Sequence, residues 1–180
     1  MGEDDQRQVS LRHLELRDID TLVAWGSDTE LCRAAEWSVG VPDDDLRAHW
    51  TKLIASPSAD LIRCAITIGD RVVGYADLFG ADPDRRELGI VIGERSLWGQ
   101  GLGRLGAALM LDHGFDALRL ATVVAQAWDA NSRSVRLLQG LGMRETGRGD
   151  EGHYRGMPTW YRQFEIDRVG WQRVRPTIMA

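Results

Sequence analysis

Gly99, Gly101, Gly103 and Gly106 crowd one short window, and Leu102, Leu105 and Leu109 follow there at helical spacing. Glycines at the turn into a helix have a physical use. Without Cβ atoms in the way, backbone N–H groups can close around an anion. The helix beyond adds its own unpaired N–H groups and the positive end of its dipole. The stretch from Gly99 to Leu105 is therefore a candidate seat for a diphosphate. Gly101, Gly103 and Gly106 also spell G-x-G-x-x-G, the dinucleotide fingerprint. In that fold the first glycine follows its strand directly and the unit opens the domain. Here the linker from Glu94 to Gln100 intervenes, and about half the chain comes first. A helix start with incidental glycines is the plainest alternative.

The elements that must position this loop follow from periodicity. Leu88, Ile90 and Ile92 alternate ahead of it and predict a central strand over 87–93, apolar on both faces apart from Glu87 at its start. Residues 120–128, rich in Val, Thr and Ala, predict a strand after the long helix. Residues 131–140 predict a short helix with Val135 and Leu138 inward and Gly140 or Gly142 near its end. Earlier in the chain, residues 9–16 alternate as a first strand. Asp18 is placed to cap a helix carrying Ile19, Leu22, Val23 and Trp25. A second helix over 43–55 carries Leu46, His49, Trp50 and Leu53 on one stripe, which predicts a packed His49. Strands over 61–68 and 71–79 meet at Gly69-Asp70 as a hairpin. Two last strands are expected around 143–147 and 159–166, with a mobile, glycine-rich stretch over 148–158 between them. Residues 26–42 show no clear period. Residues 1–8 read as a disordered head, 9–168 as a single domain and 169–180 as a basic tail.

Two blocks carry a family resemblance. The segment around Trp98-Gly99-Gln100-Gly101-Leu102-Gly103 resembles the coenzyme A loop of the GNAT superfamily of N-acetyltransferases, whose motif is Q/R-x-x-G-x-G/A. Gly101 and Gly103 are its two glycines, and Trp98 stands where Gln or Arg is usual. That departure is shared by the ribosomal-protein and polyamine acetyltransferase-like branch. Downstream, DANSRSVRLLQGLGM resembles the family's N-x-x-S-x-x-L-Y-x-x-L-G-F. The two blocks stand at the family's separation. The resemblance implies an α/β (α+β) fold with a mixed, mostly antiparallel sheet of six to seven strands. About four helices would flank it, and its central strands would splay apart.

It also implies the chemistry: acetyl-CoA gives its acetyl group to a primary amine that attacks the thioester directly. Pantetheine would lie along Ile90, Val91 and Ile92, whose backbone supplies an oxyanion donor. The diphosphate would sit on Trp98, Gly99, Gln100, Gly101, Leu102, Gly103 and Arg104, with Arg95 or Arg133 as further cations. Asn131 would bond the coenzyme, and its plain alternative is a helix N-cap. Glu87 is the first candidate for general base, against an edge carboxylate paired with Arg85 or Arg86. Asp77, Glu36 and Glu151 stand in reserve. Leu138 occupies the place of the tyrosine that protonates the leaving thiolate in the family, so Ser134 is the candidate sulfur partner. Glu36, Trp37, His153 and Tyr154 are candidates for the acceptor pocket.

Composition bounds the alternatives. The chain has 180 residues, 43% hydrophobic and 27% charged, with a net charge of −5. That balance suits a soluble globular protein, and the charge argues against nucleic acid as the main partner. No apolar run is long enough to span a membrane, and no signal-peptide pattern opens the chain. Cys32 and Cys64 make no disulfide framework or metal spacing, so a cytoplasmic, metal-free protein is expected. A homodimer is expected from the resemblance alone. A non-catalytic acyl-CoA-binding domain on the same fold is the second functional hypothesis, and a dinucleotide-dependent oxidoreductase the third.

Overall fold

The structure, a computed structural model, describes residues 9–179; the head at 1–8 lies outside the described residues. One seven-stranded sheet runs in the order β1-β2-β3-β4-β5-β7-β6. Its strands are β1 (Val9–His13), β2 (Leu61–Ile68), β3 (Arg71–Phe79), β4 (Arg85–Ile92), β5 (Thr122–Trp128), β6 (Arg144–Tyr154) and β7 (Met157–Asp167). Every neighbouring pair is antiparallel except β4 and β5. Six helices accompany them: α1 (Ile19–Gly26), α2 (Thr29–Ala34), α3 (Asp43–Ala55), α4 (Leu102–Asp112), α5 (Ser132–Gly140) and α6 (Arg168–Met179). The mostly antiparallel mixed sheet is the one the resemblance implies.

Strand alternation, shifted once by a bulge in the β2–β3 register at Ile66/Thr67, sorts the core into two layers. Ile66, Val73, Ala76 and Leu88 point to one face and pack under α4, where they meet Ala107, Met110 and Leu111. Ala65, Val72 and Tyr75 point to the other and meet Leu22, Trp25 and Trp50 of α1 and α3. Gly106 is required for packing: a Cβ there would lie 2.5 Å from Ile66 Cδ1. At the end of α5, Gly142 adopts φ +75°. The Gly142 N–H donates to the Gln139 carbonyl, and Met143 N–H to that of Leu138, closing a Schellman motif.

Between β4 and β5 the ladder covers only Arg85↔Thr122, Arg86↔Val123 and Glu87↔Val124, so the strands part after Glu87. Gly93 N–H donates to the Val73 carbonyl on β3. Strand alternation then turns the N–H and C=O groups of Ile90 and Ile92 toward the gap, and those of Val91 toward β3.

At five places the structure changes or completes the sequence reading. Asp18 does not cap α1; its carboxylate takes two Arg12 hydrogen bonds of 2.7 Å and the Glu15 N–H. The aperiodic stretch over 26–42 holds α2, capped by Asp28, whose side chain accepts from Glu30 and Leu31 N–H. His49 is exposed, edge-on to the buried Trp50. The expected mobile stretch over 148–158 lies within a β6–β7 hairpin that turns at Arg155 and Gly156 (φ +52° and +82°). The basic tail is helix α6, whose buried Trp171 donates its indole N–H to Asp112 of α4. Among the described residues no helix is long and apolar enough to cross a membrane.

Candidate active site

The gap between β4 and β5 opens into a cleft of about 480 Å³ that ends at the N-terminus of α4. Its mouth is the glycine loop. Gly99 and Gly101 hold φ values of +80° and +83°, and a Cβ built on either would meet nothing within 4 Å. Backbone conformation, not crowding, makes these two positions glycine, and the space in front of them is open. Leu105 N–H makes the first bond of α4, to the Gly101 carbonyl. The N–H groups of Leu102, Gly103 and Arg104 therefore have no partner within the helix, and its first turn carries no acidic side chain. Gly103 serves packing as well: a Cβ there would come within 3.1 Å of Leu137 on α5. Arg104, Arg133 and Arg136 all line the cleft. Cations, helix dipole and free N–H groups so converge on one mouth, an arrangement that fits a diphosphate.

Trp98 pins this loop to the strand. Its indole N–H donates to the Ile92 carbonyl at 2.8 Å, and the Arg133 guanidinium lies 4.8 Å over its ring. The Gln100 amide is turned away, donating to the Ser96 carbonyl, and Gln100 is no part of the cleft wall. Arg95 is also elsewhere, paired with Asp28 at 2.5 Å. Arg136 was missed by sequence reading; its place five residues after Asn131 on the same helix was the available signal.

On the far wall Asn131 caps α5, with Oδ1 accepting Ser134 N–H at 3.2 Å. Both side chains face the cleft. Leu138, in contrast, is 4% exposed and packed in the core beneath α4. Tyr154 reaches in from the end of β6, while its neighbour His153 is exposed opposite Pro158 and lines nothing. Leu31, Ala34 and Ala35, in and just after α2, complete the wall.

Glu87 sits where the strands begin to part, on the sheet face opposite α4, with Gly89 and Val91. No ion pair with Arg85 or Arg86 forms; its partner is the Gln126 amide at 3.4 Å. Burial pushes the Glu87 carboxyl above its ordinary range, against the pull of that hydrogen bond and of Arg85. Above it Tyr161 stacks on Trp128, ring centroids 3.5 Å apart. The Tyr161 hydroxyl is pushed up to about 12 by burial first and then by the negative charges of Glu36 and Glu87. Glu36 and Glu87, distant in sequence, thus act on one hydroxyl. Glu36 does so from a left-handed backbone (φ +59°), unusual for a residue with a side chain.

Other candidates are engaged elsewhere. Trp37 stacks on Tyr75 and donates to its hydroxyl at 3.2 Å, within the α1–α3 layer. Asp77 is buried, held by Arg63 through two bonds of 2.6 Å, and no part of the cleft wall. Glu151 pairs with Arg148 on the exposed edge strand. Glu36, Glu87, Tyr161, Trp128 and Gln126 are not on the cleft wall, and sequence reading missed the last three because no local motif ties them to Glu87.

Comparison with known proteins agrees with this geometry. A Bacillus licheniformis protein described as N-acetyltransferase p20, uncharacterized, is 25% identical over 145 residues, covering 78% of this chain and 81% of its own. A T. thermophilus protein of known crystal structure is 25% identical and superposes with a TM-score of 0.78, over 96% of this chain and 93% of that one. The Vibrio cholerae spermidine N-acetyltransferase, solved with CoA and spermine, is 20% identical over 92% of this chain and 98% of that one, with a TM-score of 0.80. The family model for the acetyltransferase (GNAT) domain matches residues 8–144, most of the chain, and the protein belongs to the GNAT family of acetyltransferases.

Proposed function

We propose that the protein transfers the acetyl group of acetyl-CoA to a primary amine by direct attack on the thioester. The observation that carries this is the parting of β4 and β5 beside a loop of left-handed glycines. A strand edge and an anion seat lie end to end, as a pantetheine diphosphate requires. The Leu102–Arg104 N–H groups, with Arg104, Arg133 and Arg136, hold the diphosphate. The Asn131 amide and the Ile90 and Ile92 backbone hold the pantetheine. A backbone N–H of that strand, fixed before substrate arrives, receives the developing oxyanion.

The acceptor approaches from the α1–α3 side, where Glu36, Glu87, Tyr161 and Trp128 gather. A lysine-like amine has a pKa of about 10.4 and must shed a proton to attack. Glu87 takes it: partial burial raises its basicity, and its place at the fork brings it to both the acceptor and the thioester. Ser134 faces the sulfur end from α5. Glu36 and the Trp128–Tyr161 stack suit an acceptor carrying positive charge, by carboxylate pairing and ring contact. The Vibrio cholerae relative, with its polyamine ligand, supports the same class.

Thiol release from acetyl-CoA, followed across a panel of mono-, di- and polyamines, tests the proposal. Amine-dependent release is the expected result. Tight acetyl-CoA binding with no release for any amine would favour a binding domain instead. Binding of NADH in place of acetyl-CoA would sink both.

A further inference from the structure

Departure of coenzyme A leaves negative charge on sulfur, and the side chain that answers it in the family's helix motif is absent here. Leu138 is 4% exposed in the core and has no proton to offer. Two hydroxyl-bearing side chains line the cleft, Ser134 from α5 and Tyr154 from the β6–β7 hairpin. Tyr154 is the more effective donor, since a phenol is a far stronger acid than an aliphatic alcohol. Its residue is 8% exposed, yet among the described residues its hydroxyl makes a single hydrogen bond, of 3.5 Å to the Ala34 carbonyl, at the limit of hydrogen-bond length. That leaves the O–H free to turn to a better acceptor.

The hairpin holds Tyr154 over the cleft by identifiable means. Arg155, next in the chain, pairs with Glu30 of α2, so the hairpin tip is tied to the helix whose Leu31 and Ala34 line the same cleft. Arg155 and Gly156 make the turn with left-handed backbones, which sets the direction in which Tyr154 leaves the strand. Glu36 and Arg133 both act on the hydroxyl from nearby, one at the acceptor side and one at the diphosphate side. Tyr154 shares the cleft wall with the parted strand at Ile90 to Ile92 and with Asn131 and Ser134, where the thioester must lie.

We propose that the Tyr154 hydroxyl donates a hydrogen bond to the departing coenzyme A sulfur, a catalytic role that rests on the acyl-transfer reading above. As the amine nitrogen forms its bond to the acetyl carbon, the C–S bond breaks and its electron pair stays on sulfur. The proton lost by the amine goes to Glu87. Burial and the Glu36 charge raise the Tyr154 pKa above its ordinary value of about 10, so the hydroxyl keeps its proton through neutral and mildly basic pH. A thiol of pKa about 8.5 is the stronger acid. The tyrosine thus stabilises the thiolate by hydrogen bonding, and the proton that completes the thiol comes from solvent.

The test compares wild type, Tyr154→Phe and Ser134→Ala with two acyl donors, acetyl-CoA and the acetyl thioester of a nitrothiophenol. A nitrothiophenol leaves without help. With acetyl-CoA, Tyr154→Phe should lower kcat about ten- to a hundredfold, as loss of a bond to a charged group does. KM for acetyl-CoA should stay within about twofold, since the bond strengthens only as charge develops. With the aryl thioester the ratio of wild type to Tyr154→Phe should fall toward one. An unchanged kcat for Tyr154→Phe with acetyl-CoA overturns the inference, as does an equal loss with both donors, which marks a packing role. A larger loss for Ser134→Ala, cured by the aryl donor, gives the role to the serine and also overturns it. If wild type releases no thiol with any amine, the acyl-transfer reading falls and takes this inference with it.

Discussion

Glu87, the proposed base, is held at a cost to the fold. A half-buried carboxylate without a cationic partner carries a desolvation penalty that its one 3.4 Å hydrogen bond from Gln126 offsets only in part. Its folded-state pKa lies above the unfolded value, so protonation favours the folded state. The stabilising contribution is fully present below the ordinary glutamate pKa of about 4.3 and is lost as pH rises through the folded value. Glu87→Gln removes that titration. The variant should therefore gain thermal stability relative to wild type as pH rises above about 4.3, the gain levelling off once Glu87 is fully ionised. Its kcat should fall about 10²- to 10⁴-fold where Glu87 is ionised, and the deficit should shrink at lower pH, where the wild-type carboxylate is itself protonated. Melting curves and thiol-release rates at several pH values check both halves. A variant that loses stability while keeping its rate would mark Glu87 as a structural carboxylate.

Asp77 is the counter-case. Its side chain is 7% exposed and that of Arg63 16%, and the guanidinium lies 4.3 Å over the Tyr75 ring. Removing one member leaves a buried charge unanswered, which costs about 3–5 kcal/mol. Asp77→Ala should lower Tm sharply, and denaturant unfolding gives the size of the loss. Any activity lost should scale with the fraction unfolded.

At the scale of elements, the two kinds of glycine in the loop and helix predict opposite phenotypes. Gly101→Ala forces a side chain into a left-handed backbone, at about 1–2 kcal/mol, where no neighbour would clash. The loop should relax and lose its convergent N–H groups, so KM for acetyl-CoA should rise more than tenfold with a modest drop in Tm. Gly106→Ala drives a methyl to 2.5 Å from Ile66 Cδ1 in the core, an overpacking worth about 1–3 kcal/mol. Its Tm should fall while KM stays near the wild-type value. Steady-state kinetics and melting curves on the pair separate the roles. The sequence motif alone merges them, because G-x-G-x-x-G reads the same whichever force demands each glycine.

The same distinction explains what the chain made legible. β2, β3 and β4 are covered on both faces and read as near-continuous apolar runs, and α4 buries one stripe, so their patterns are plain and the strand boundaries fall close to expectation. The β6–β7 hairpin hid because β6 is an edge strand, exposed over most of its length, and its register shifts at Glu145/Gly147 and at Arg148/Glu151 break the alternation. Its glycines read as loop, yet Gly152 is needed to clear the Trp128 ring, which a Cβ would approach to 2.7 Å. Helix α2, six residues long, is too short to show a period. Residues Glu36, Tyr154 and Tyr161 all belong to or adjoin these hidden elements. The glycine loop and Asn131 on the cleft wall were readable from local motifs, whereas the grouping of Glu36, Glu87 and Tyr161 arises only through long-range packing.

For the molecule as a whole, the decisive feature is how little joins its two half-sheets directly. β1 to β4 form one half and β5, β7 and β6 the other, and between them the ladder runs over only Arg85–Glu87 and Thr122–Val124. Helices α4 and α6, linked by the Trp171 and Arg175 bonds to Asp112, hold the halves from one side. A donor lying in the gap would touch both halves at once and supply the cross-links that the strands omit. Binding only the folded state, acetyl-CoA at about a hundred times its Kd should add about 2.7 kcal/mol of stability. For a chain of this size that is a rise in Tm of about 5–11 °C. NADH at the same concentration should leave Tm unchanged, since the wide gap and its free strand edge have no use for a nicotinamide. Hydrogen exchange should slow most at Ile90 and Ile92, whose N–H groups face the gap, and little at Val91, whose N–H faces β3. Protection spread evenly over all three would mean that the donor tightens the fold without lying along the strand.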